Sequence, residues 1–360
     1  MDSCIHSAWN WLSCSGIQTT SGGVARFYRA DVQQYQDIST QSTAFFISTF
    51  LRLGEPSQNL APDEALRAGG FLLDRAFHRS KELFAHEVYG GSNSPSTRTY
   101  FFDCSIVIRS LVDLWKATEE PDYLECVERC GFALQILMSR MDGSFFPVYD
   151  FSRDQPIDDG ETWSTRPEVY QLKAGLALQD LTDATGLYEF VDMSETLRRW
   201  CLKRHESFVP NFGDSEERMS QLHAYCYFLE GLLQEASQDA DCSRALQWGI
   251  LRVENLVEEM GPQFPRSDII AQLLRLRFYA DTFAVMEIDH DTAESEVAAL
   301  IEFQQQSSDP RVDGGFAFAR RGTEIVPHMN PVSTVLAVQA LTMWESAEQG
   351  TFRDEWNVLI

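Results

Sequence analysis

Polar side chains recur at a helical spacing inside three segments that are otherwise largely apolar. Residues four and seven positions apart lie on one face of a helix, so each set forms a polar stripe on a predicted helix. The stripes are Asp268, Gln272 and Arg275 near 266–285, His223, Tyr227 and Glu230 near 217–236, and Arg166, Tyr170 and Lys173 near 163–185. Burying such groups without partners or water is costly, so we expect the stripes to face a shared, wet cavity.

Carboxyl groups near these stripes could serve as the acid and the base of glycoside hydrolysis. A general acid needs a carboxyl group that apolar or like-charged surroundings keep protonated. Asp103, which follows two phenylalanines at the start of a predicted helix, fits that role. Its partner carboxylate stays open between Asp268 and Glu161.

Proton abstraction next to a uronate carboxyl group is the alternative chemistry. It needs a base, an acid on the opposite face of the sugar ring, and a cation that stabilises the enolate. His223 is the candidate base, with a hydrogen-bonded histidine of the core as the open alternative, and Tyr225 or Tyr227 is the candidate acid. Arg166 or Lys173 would supply the cation.

A sugar-binding site is predicted at the glycine-turn end of these helices, where loops leave an open rim. Aromatic rings suit the apolar face of a sugar, and cations suit an acidic substituent such as a uronate. His328, beside Asn330, is a further candidate base. The candidate substrate contacts are Trp163, Arg166, Tyr170, Lys173, Tyr100, Tyr225, Gln272, Arg275, His328 and Asn330. The open alternative for Arg275, Glu230 and Arg52, which lie deeper, is mutual pairing in a polar core.

Six glycine-bearing turns divide the chain into repeats, the second of them at Gly90-Gly91. The outermost glycines, Gly23 and Gly315, are 292 residues apart over five intervals, a period of about 58. Between the turns, one-sided apolar stripes alternate with segments that are apolar nearly all round. The pattern predicts twelve helices in six pairs, each with an outer amphipathic helix and an inner buried helix. Both chain ends are apolar, so we expect them to meet and to close a toroid, a single domain over residues 1–360.

The composition excludes several classes of protein. The 360 residues carry a formal net charge of −25 at pH 7, so we expect no basic face for nucleic acid or an anionic membrane. No apolar stretch is long enough for a transmembrane helix, and the first residues do not resemble a signal peptide. The eight cysteines form no metal-binding pattern. We therefore expect no metal, no cofactor and a cytoplasmic protein with reduced thiols.

Six glycine turns, helical hairpins and polar inner faces resemble the (α/α)6 toroid group. That group includes six-hairpin glycosidases, unsaturated glucuronyl hydrolases, uronate epimerases and lyases, and N-acylglucosamine epimerases, with terpene cyclases more distant. The chain also resembles helical-barrel proteins encoded among bacterial polysaccharide-biosynthesis genes. The resemblance covers essentially the whole chain and rests on its architecture. It implies an all-α (α/α)6 toroid with short β-hairpin turns at one rim.

The predicted function is hydrolysis of an acidic oligo- or polysaccharide by carboxylate acid/base catalysis. A uronate epimerase or a polysaccharide lyase that uses His and Tyr is the first alternative, and a non-catalytic glycan-binding protein is the second. A terpene cyclase would need an Asp-rich or Asp-x-Asp-Asp motif. The nearest approach, Asp158-Asp159-Gly160-Glu161, matches neither motif.

Overall fold

The computed structural model describes residues 1–54, 61–92, 94–158, 160, 162–209, 213–352 and 359–360. The α-helices in these residues are α1 (Asp2–Cys14), α2 (Thr40–Arg52), α3 (Asp63–Phe71), α4 (Phe101–Thr118), α5 (Pro121–Met138), α6 (Lys173–Thr185), α7 (Glu189–Leu202), α8 (His205–Phe208), α9 (Ser215–Leu232), α10 (Ala240–Met260), α11 (Ser267–Thr282), α12 (His290–Ile301) and α13 (Pro331–Glu348). A π-helical turn at Leu72–Ala76 extends α3.

Short antiparallel strands connect the helices in small sheets. They are β1 (Tyr28–Arg29), β2 (Gln34–Tyr35), β3 (Ile38–Ser39), β4 (Phe77–His78), β5 (Leu83–Phe84), β6 (Glu87–Tyr89), β7 (Ser94–Pro95), β8 (Arg98–Tyr100), β9 (Val148–Asp150), β10 (Gln155–Ile157), β11 (Arg320–Arg321), β12 (Glu324–Ile325) and β13 (His328–Met329). Their orders are β13-β1-β2, β10-β9-β8, β3-β6-β7, β11-β12 and β4-β5. In the second sheet Tyr100 pairs with Val148, which fixes where α4 begins.

The contacts of the chain define two compact units. Unit 1 comprises Met1–Ile17, Phe27–Tyr35 and His205–Ile360, and unit 2 comprises Gln18–Arg26 and Gln36–Arg204. In unit 2, the neighbouring inner helices α2, α4 and α6 carry the outer helices α3, α5 and α7. In unit 1, α11 contacts both α9 and α13, and the outer helices α10, α12 and α1 pack on α9, α11 and α13. The six predicted helix pairs are confirmed, and the single-domain organisation stays a prediction.

Burial of side chains explains the division into inner and outer helices. All residues from 267 to 280 on α11 are buried, so this helix is covered on every side. On α10 the buried residues, among them Leu246, Ile250 and Val253, recur every three or four positions. That spacing gives one apolar face, which is what an outer helix needs.

A shared hydrogen bond ties four of the repeat turns to their inner helices. In each turn, an apolar residue forms an antiparallel backbone pair with a residue that shortly follows the outer helix. The same apolar residue donates its backbone N–H to a side chain at the start of the inner helix. The pairs are Val24 with Thr43, Phe84 with Cys104, Phe145 with Gln171, and Phe316 with Thr334. The second repeat turn therefore lies at Glu82, with φ of +56°, and the expected turn at Gly90-Gly91 instead joins β6 to β7.

The segment before α6 is not the continuous helix that the spacing of Arg166, Tyr170 and Lys173 predicts. Two 3-10 turns, Trp163–Thr165 and Val169–Leu172, precede α6, which begins only at Lys173. Pro167 is the physical reason, since it forces the residue before it into extended conformation. Arg166 has φ of −116° and ψ of 146°. These three side chains consequently do not share one helical face.

The two ends of the chain meet in unit 1, as the sequence predicts. Helix α1 packs on α13. The indole N–H of Trp11 donates to the backbone oxygen of Arg311 at 2.9 Å, and Gln304 donates to the backbone oxygen of Cys4 at 2.8 Å. None of the helices described is both long and apolar enough to cross a membrane.

Candidate functional site

A group of polar side chains in unit 1 surrounds His223 on the inner helix α9. Its Nδ1 atom lies 2.7 Å from Oε1 of Gln272 and 3.6 Å from Oδ2 of Asp268, both on α11. The ring of Tyr227, one turn further along α9, meets the imidazole edge to face at 4.5 Å between centroids. The structure thus brings His223, Tyr227 and Gln272 together, and the shared wet cavity stays a prediction.

The electrostatics of this cluster keep His223 neutral. Burial lowers the pKa of His223 to about 4, although the Asp268 carboxylate acts to raise it. A carbonyl oxygen can only accept a hydrogen bond, so the contact with Gln272 places the ring proton on Nδ1. The lone pair of a neutral imidazole with that tautomer resides on Nε2, which makes His223 a base at neutral pH.

Asp268 is held as a carboxylate rather than as an acid. Arg266 binds it through two hydrogen bonds, Nε–Oδ1 at 3.0 Å and Nη2–Oδ2 at 2.6 Å. Burial would raise the pKa of Asp268, but Arg266 and His223 offset that effect and lower the pKa below its ordinary value. Burial also raises the pKa of Tyr227 far above its ordinary value, so this phenol stays protonated.

Deeper along the same helices, Arg275 and Glu230 form a fully buried ion pair. Arg275 also donates to Oε1 of Gln339 on α13 at 2.6 Å and to the backbone oxygen of Ile360 at 3.4 Å. The alternative of a paired polar core is therefore confirmed for these two charges. An internal partner, and not a substrate, neutralises Arg275.

A short extended segment, residues 316–320, connects the cluster to His328. On one side it pairs with the backbone at Arg266, and on the other with the strand that carries His328. The ring of His328 stacks on Phe27 at 4.5 Å, and burial lowers its pKa below the ordinary value. Asn330 accepts the backbone N–H groups of residues 332 and 333 and so caps α13 instead of facing a ligand.

Unit 2 carries a second pair of a histidine and an aspartate. Asp103, in the first turn of α4, accepts a hydrogen bond from Nδ1 of His86 at 2.6 Å. Nη2 of Arg26 lies 2.6 Å from the other ring nitrogen, and Arg26 also pairs with Glu87. The ring of Tyr100 packs on His86 at 4.4 Å. Asp103 therefore does not have the apolar surroundings that the sequence suggested for a protonated acid.

An aromatic group at the start of α6 contains two predicted substrate contacts. Trp163 meets Tyr170 edge to face at 5.0 Å, and the buried Tyr170 hydroxyl donates to the backbone oxygens of Ser164 and Arg166. Arg166 itself is exposed, and its Nε donates to the backbone oxygen of Gly160 at 2.7 Å. Burial raises the pKa of the adjacent Glu168, although Arg166 and Arg204 act to lower it.

Three further predictions have mixed outcomes. Lys173 is fully buried, with its Nζ 5.2 Å from the centre of the Phe45 ring. The Tyr225 hydroxyl lies 3.0 Å from Nδ1 of His205 and beside the outer helix α10, away from His223. Glu161 lies outside the described residues.

The two carboxylates proposed for hydrolysis belong to different units, Asp103 to unit 2 and Asp268 to unit 1.

The charges at the far end of the unit 2 inner helices also pair internally. Arg52 binds Asp113 through Nε at 2.7 Å and Nη2 at 3.0 Å. Arg109 binds Asp180 at 2.7 Å, and both side chains are buried. Within the described part of the chain, no group of three or more His, Cys, Asp or Glu side chains could hold a metal ion.

Sequence reasoning missed His86, Arg26 and Arg266. The first two lie in bends beside short strands, and His86 contacts Asp103, 17 residues further along the chain. One signal could have found them, because each lies two residues after an apolar residue of its turn. Arg26 follows Val24, His86 follows Phe84, and Arg266 follows Phe264. For His86 and Arg266, that position places the side chain beside an aspartate in the first turn of an inner helix.

No protein-family model matches the sequence, and neither does any curated protein. Solved structures do match. A cellobiose 2-epimerase from Bacillus thermoamylovorans B4167 superposes with a TM-score of 0.68 at 10% identity, over 95% of this chain and 100% of that chain. The cellobiose 2-epimerase from Spirochaeta thermophila DSM 6192 gives 0.67 at 13% identity, over 93% of each chain. An alpha-amylase from Clostridium perfringens gives 0.64 at 10% identity, over 94% of this chain and 96% of that chain.

These similarities show the fold. The chain is an all-α protein of the (α/α)6 toroid class, as its turn pattern and helix pairs predicted. At this level of identity the comparison places the chain in a fold class and leaves its reaction to the residues of the site.

Proposed function

We propose that the protein is a carbohydrate-active enzyme that transfers a proton at a sugar carbon next to a carbonyl or carboxyl group, as epimerases and isomerases do. One observation carries the proposal: His223 is buried, neutral and held with its ring proton on Nδ1, in contact with Tyr227 and the Arg266–Asp268 pair. A base of this kind is what the reaction requires first.

The chemistry follows from these groups. The C–H bond breaks as Nε2 of His223 takes the proton, and the electron pair moves into an enolate. Arg266 supplies positive charge near the developing oxyanion. Return of a proton to the opposite face gives the epimer, and return to the neighbouring carbon gives the isomer. Tyr227, which stays protonated, is the candidate donor, and His328, whose pKa burial lowers, stays a second candidate base.

Two further observations support this proposal over hydrolysis by Asp103 and Asp268. Asp103 accepts a hydrogen bond from His86, and Asp268 is a carboxylate bound by Arg266, so neither has the surroundings of a general acid. Two of the solved structures similar in fold are cellobiose 2-epimerases by name. Since Arg275 and Lys173 are both buried, we propose a neutral sugar before an acidic one.

Incorporation of solvent deuterium tests the proposal. The protein is incubated in D2O with cellobiose, mannose and a uronate oligosaccharide in turn, and the sugars are followed by NMR and mass spectrometry. We expect deuterium at the carbon next to the carbonyl or carboxyl group, together with the epimer or isomer. His223→Asn should abolish exchange, whereas His205→Asn, which changes a buried histidine at the outer helix, should retain it. Exchange that persists in His223→Asn would refute the assignment.

A second candidate, glycoside hydrolysis, has one observation in its favour. Glu168 lies beside the Trp163–Tyr170 aromatic pair, and burial raises its pKa. A carboxyl group whose pKa is raised, near an aromatic platform, is suited to donate a proton to a leaving glycosidic oxygen. New reducing ends that appear with a glycan and disappear in Glu168→Gln would establish this function. No cleavage across a panel of neutral and acidic glycans would remove it.

A further inference from the structure

The side-chain amide of Gln272 lies between a histidine and a carboxylate. Its Oε1 atom is 2.7 Å from Nδ1 of His223, and its Nε2 atom is 3.3 Å from Oε1 of Glu230. The two ends of an amide have opposite hydrogen-bonding roles, since the oxygen accepts and the nitrogen donates. The orientation of the amide therefore determines which role is left to His223.

Glu230 is itself fixed in place. Arg275 donates to the same Oε1 atom that Gln272 contacts, and a second guanidinium nitrogen of Arg275 is held by Gln339. Glu230, Gln272 and Arg275 are fully buried, and Gln339 is 1% exposed. Rotation of the Gln272 amide would place its oxygen against the Glu230 carboxylate, which repels it.

We propose that Glu230 fixes the tautomer of His223 through the amide of Gln272, so that Nε2 carries the lone pair. Gln272 is then a positioning residue and not the substrate contact that its spacing suggested. The inference rests on the proposed function only for its catalytic consequence, because the tautomer can be measured without any substrate.

Asp268 is the competing explanation for the tautomer. Its Oδ2 atom lies 3.6 Å from Nδ1 of His223, a distance too long for a hydrogen bond, and both of its oxygens are bound by Arg266. Gln272, at 2.7 Å, is the closer acceptor. The two explanations predict different results when only Gln272 is changed.

The test is 15N NMR of the histidine rings in the full-length protein at pH 7, assigned by comparison with His223→Asn. We expect His223 in the wild-type protein to carry its proton on Nδ1. Gln272→Met, which keeps the shape of the side chain but removes both hydrogen bonds, should shift the ring toward the Nε2–H form. Gln171→Met, a matched change of a fully buried amide in unit 2 that bonds to the backbone of Phe145, should leave the tautomer as it is.

The role of Glu230 is tested by the double variant Glu230→Met/Arg275→Met, which removes both buried charges together. We expect a mixture of the two tautomers, because the Gln272 amide can then rotate. A wild-type ring with its proton on Nε2 would overturn the proposal. If the His223 ring keeps its proton on Nδ1 in the Gln272→Met variant, the proposal is also overturned, and the role belongs to Asp268. If the double variant keeps the wild-type tautomer, Glu230 has no part in it.

Kinetics separate this inference from the proposed function. If His223 is the base, Gln272→Met should lower kcat on the order of tenfold or more while KM changes little, since the base is present but wrongly protonated. A tautomer that behaves as expected in a protein that exchanges no deuterium would leave the inference standing and refute the proposed function. A full kcat with a changed tautomer would show that the tautomer does not matter for turnover.

Discussion

Nδ1 of His86 lies 2.6 Å from Oδ2 of Asp103, and the opposite ring nitrogen lies 2.6 Å from Nη2 of Arg26. A guanidinium can only donate and a carboxylate can only accept, so the contacts place the proton of this imidazole on Nδ1 and leave the opposite nitrogen as the acceptor. His86 thus has the same tautomer as His223, but here charged residues hold it. Unit 2 therefore contains an oriented histidine of its own.

The His86–Asp103 contact should contribute measurably to stability. Asp103→Leu should lower the free energy of unfolding by about 1–3 kcal/mol, because the Nδ1–H of a largely buried ring loses its acceptor. Urea denaturation of the two single variants and of His86→Phe/Asp103→Leu gives the coupling energy. Strictly additive losses would mean that the contact contributes nothing.

Acid should destabilise the protein through His223. Its pKa in the folded state is about 4, below the value of about 6.5 for an unfolded chain. The unfolded chain therefore binds the proton more readily. The contribution of His223 to the free energy of unfolding is fully present above about pH 6.5 and is lost as the pH falls toward about 4. The loss from this group is on the order of 3 kcal/mol.

Urea denaturation between pH 7 and pH 4 measures this effect. His223→Asn should flatten the dependence in that window. Some slope should remain, since burial lowers the pKa of His205 and His328 in the same direction. A pH dependence identical in wild type and His223→Asn would contradict the assignment.

The Arg109–Asp180 pair provides a test of buried charge in unit 2. Asp180→Leu leaves the buried Arg109 guanidinium without its carboxylate, and we expect a loss of about 3–5 kcal/mol in unfolding free energy. Adding Arg109→Met should recover much of that loss. Asp183→Leu, at an exposed position of the same helix, should change stability by less than about 0.5 kcal/mol. Equal losses from the two aspartate variants would show that burial of the pair does not set its contribution.

Gly314 should tolerate no side chain. Its φ is +87°, and a Cβ atom there would clash with the backbone oxygen of Ser7 on α1. Gly322 has φ of +58° but open space around it, so alanine there costs only the backbone strain, about 1 kcal/mol. Thermal unfolding of Gly314→Ala and Gly322→Ala should give a clearly larger loss for the first. Similar melting temperatures would show that α1 moves aside.

The helix pairs could be predicted from the sequence because burial leaves a periodic record. Inner helices such as α11 are apolar on nearly every face, and outer helices such as α10 on one face only. The His223 cluster could also be predicted, since its members recur at helical spacing on two neighbouring helices. Local patterns of this kind need no knowledge of distant contacts.

The remaining features depend on contacts or backbone details without a local pattern. The spacing of Arg166, Tyr170 and Lys173 looked helical, but Pro167 prevents a continuous helix. The second repeat turn uses Glu82 in a left-handed conformation, whereas the glycine pattern points to Gly90 instead. His86 reaches Asp103 only because the chain folds back through the short strands β6 to β8.

The packing of α1 on α13 sets an order for folding during synthesis. Most of unit 2 comes from one continuous stretch, residues 36–204, so it can assemble while the rest of the chain is still being made. Unit 1 draws on segments from both sides of that stretch. Helix α1 leaves the ribosome long before α13 and must wait, without its packing partner, until α13 has emerged.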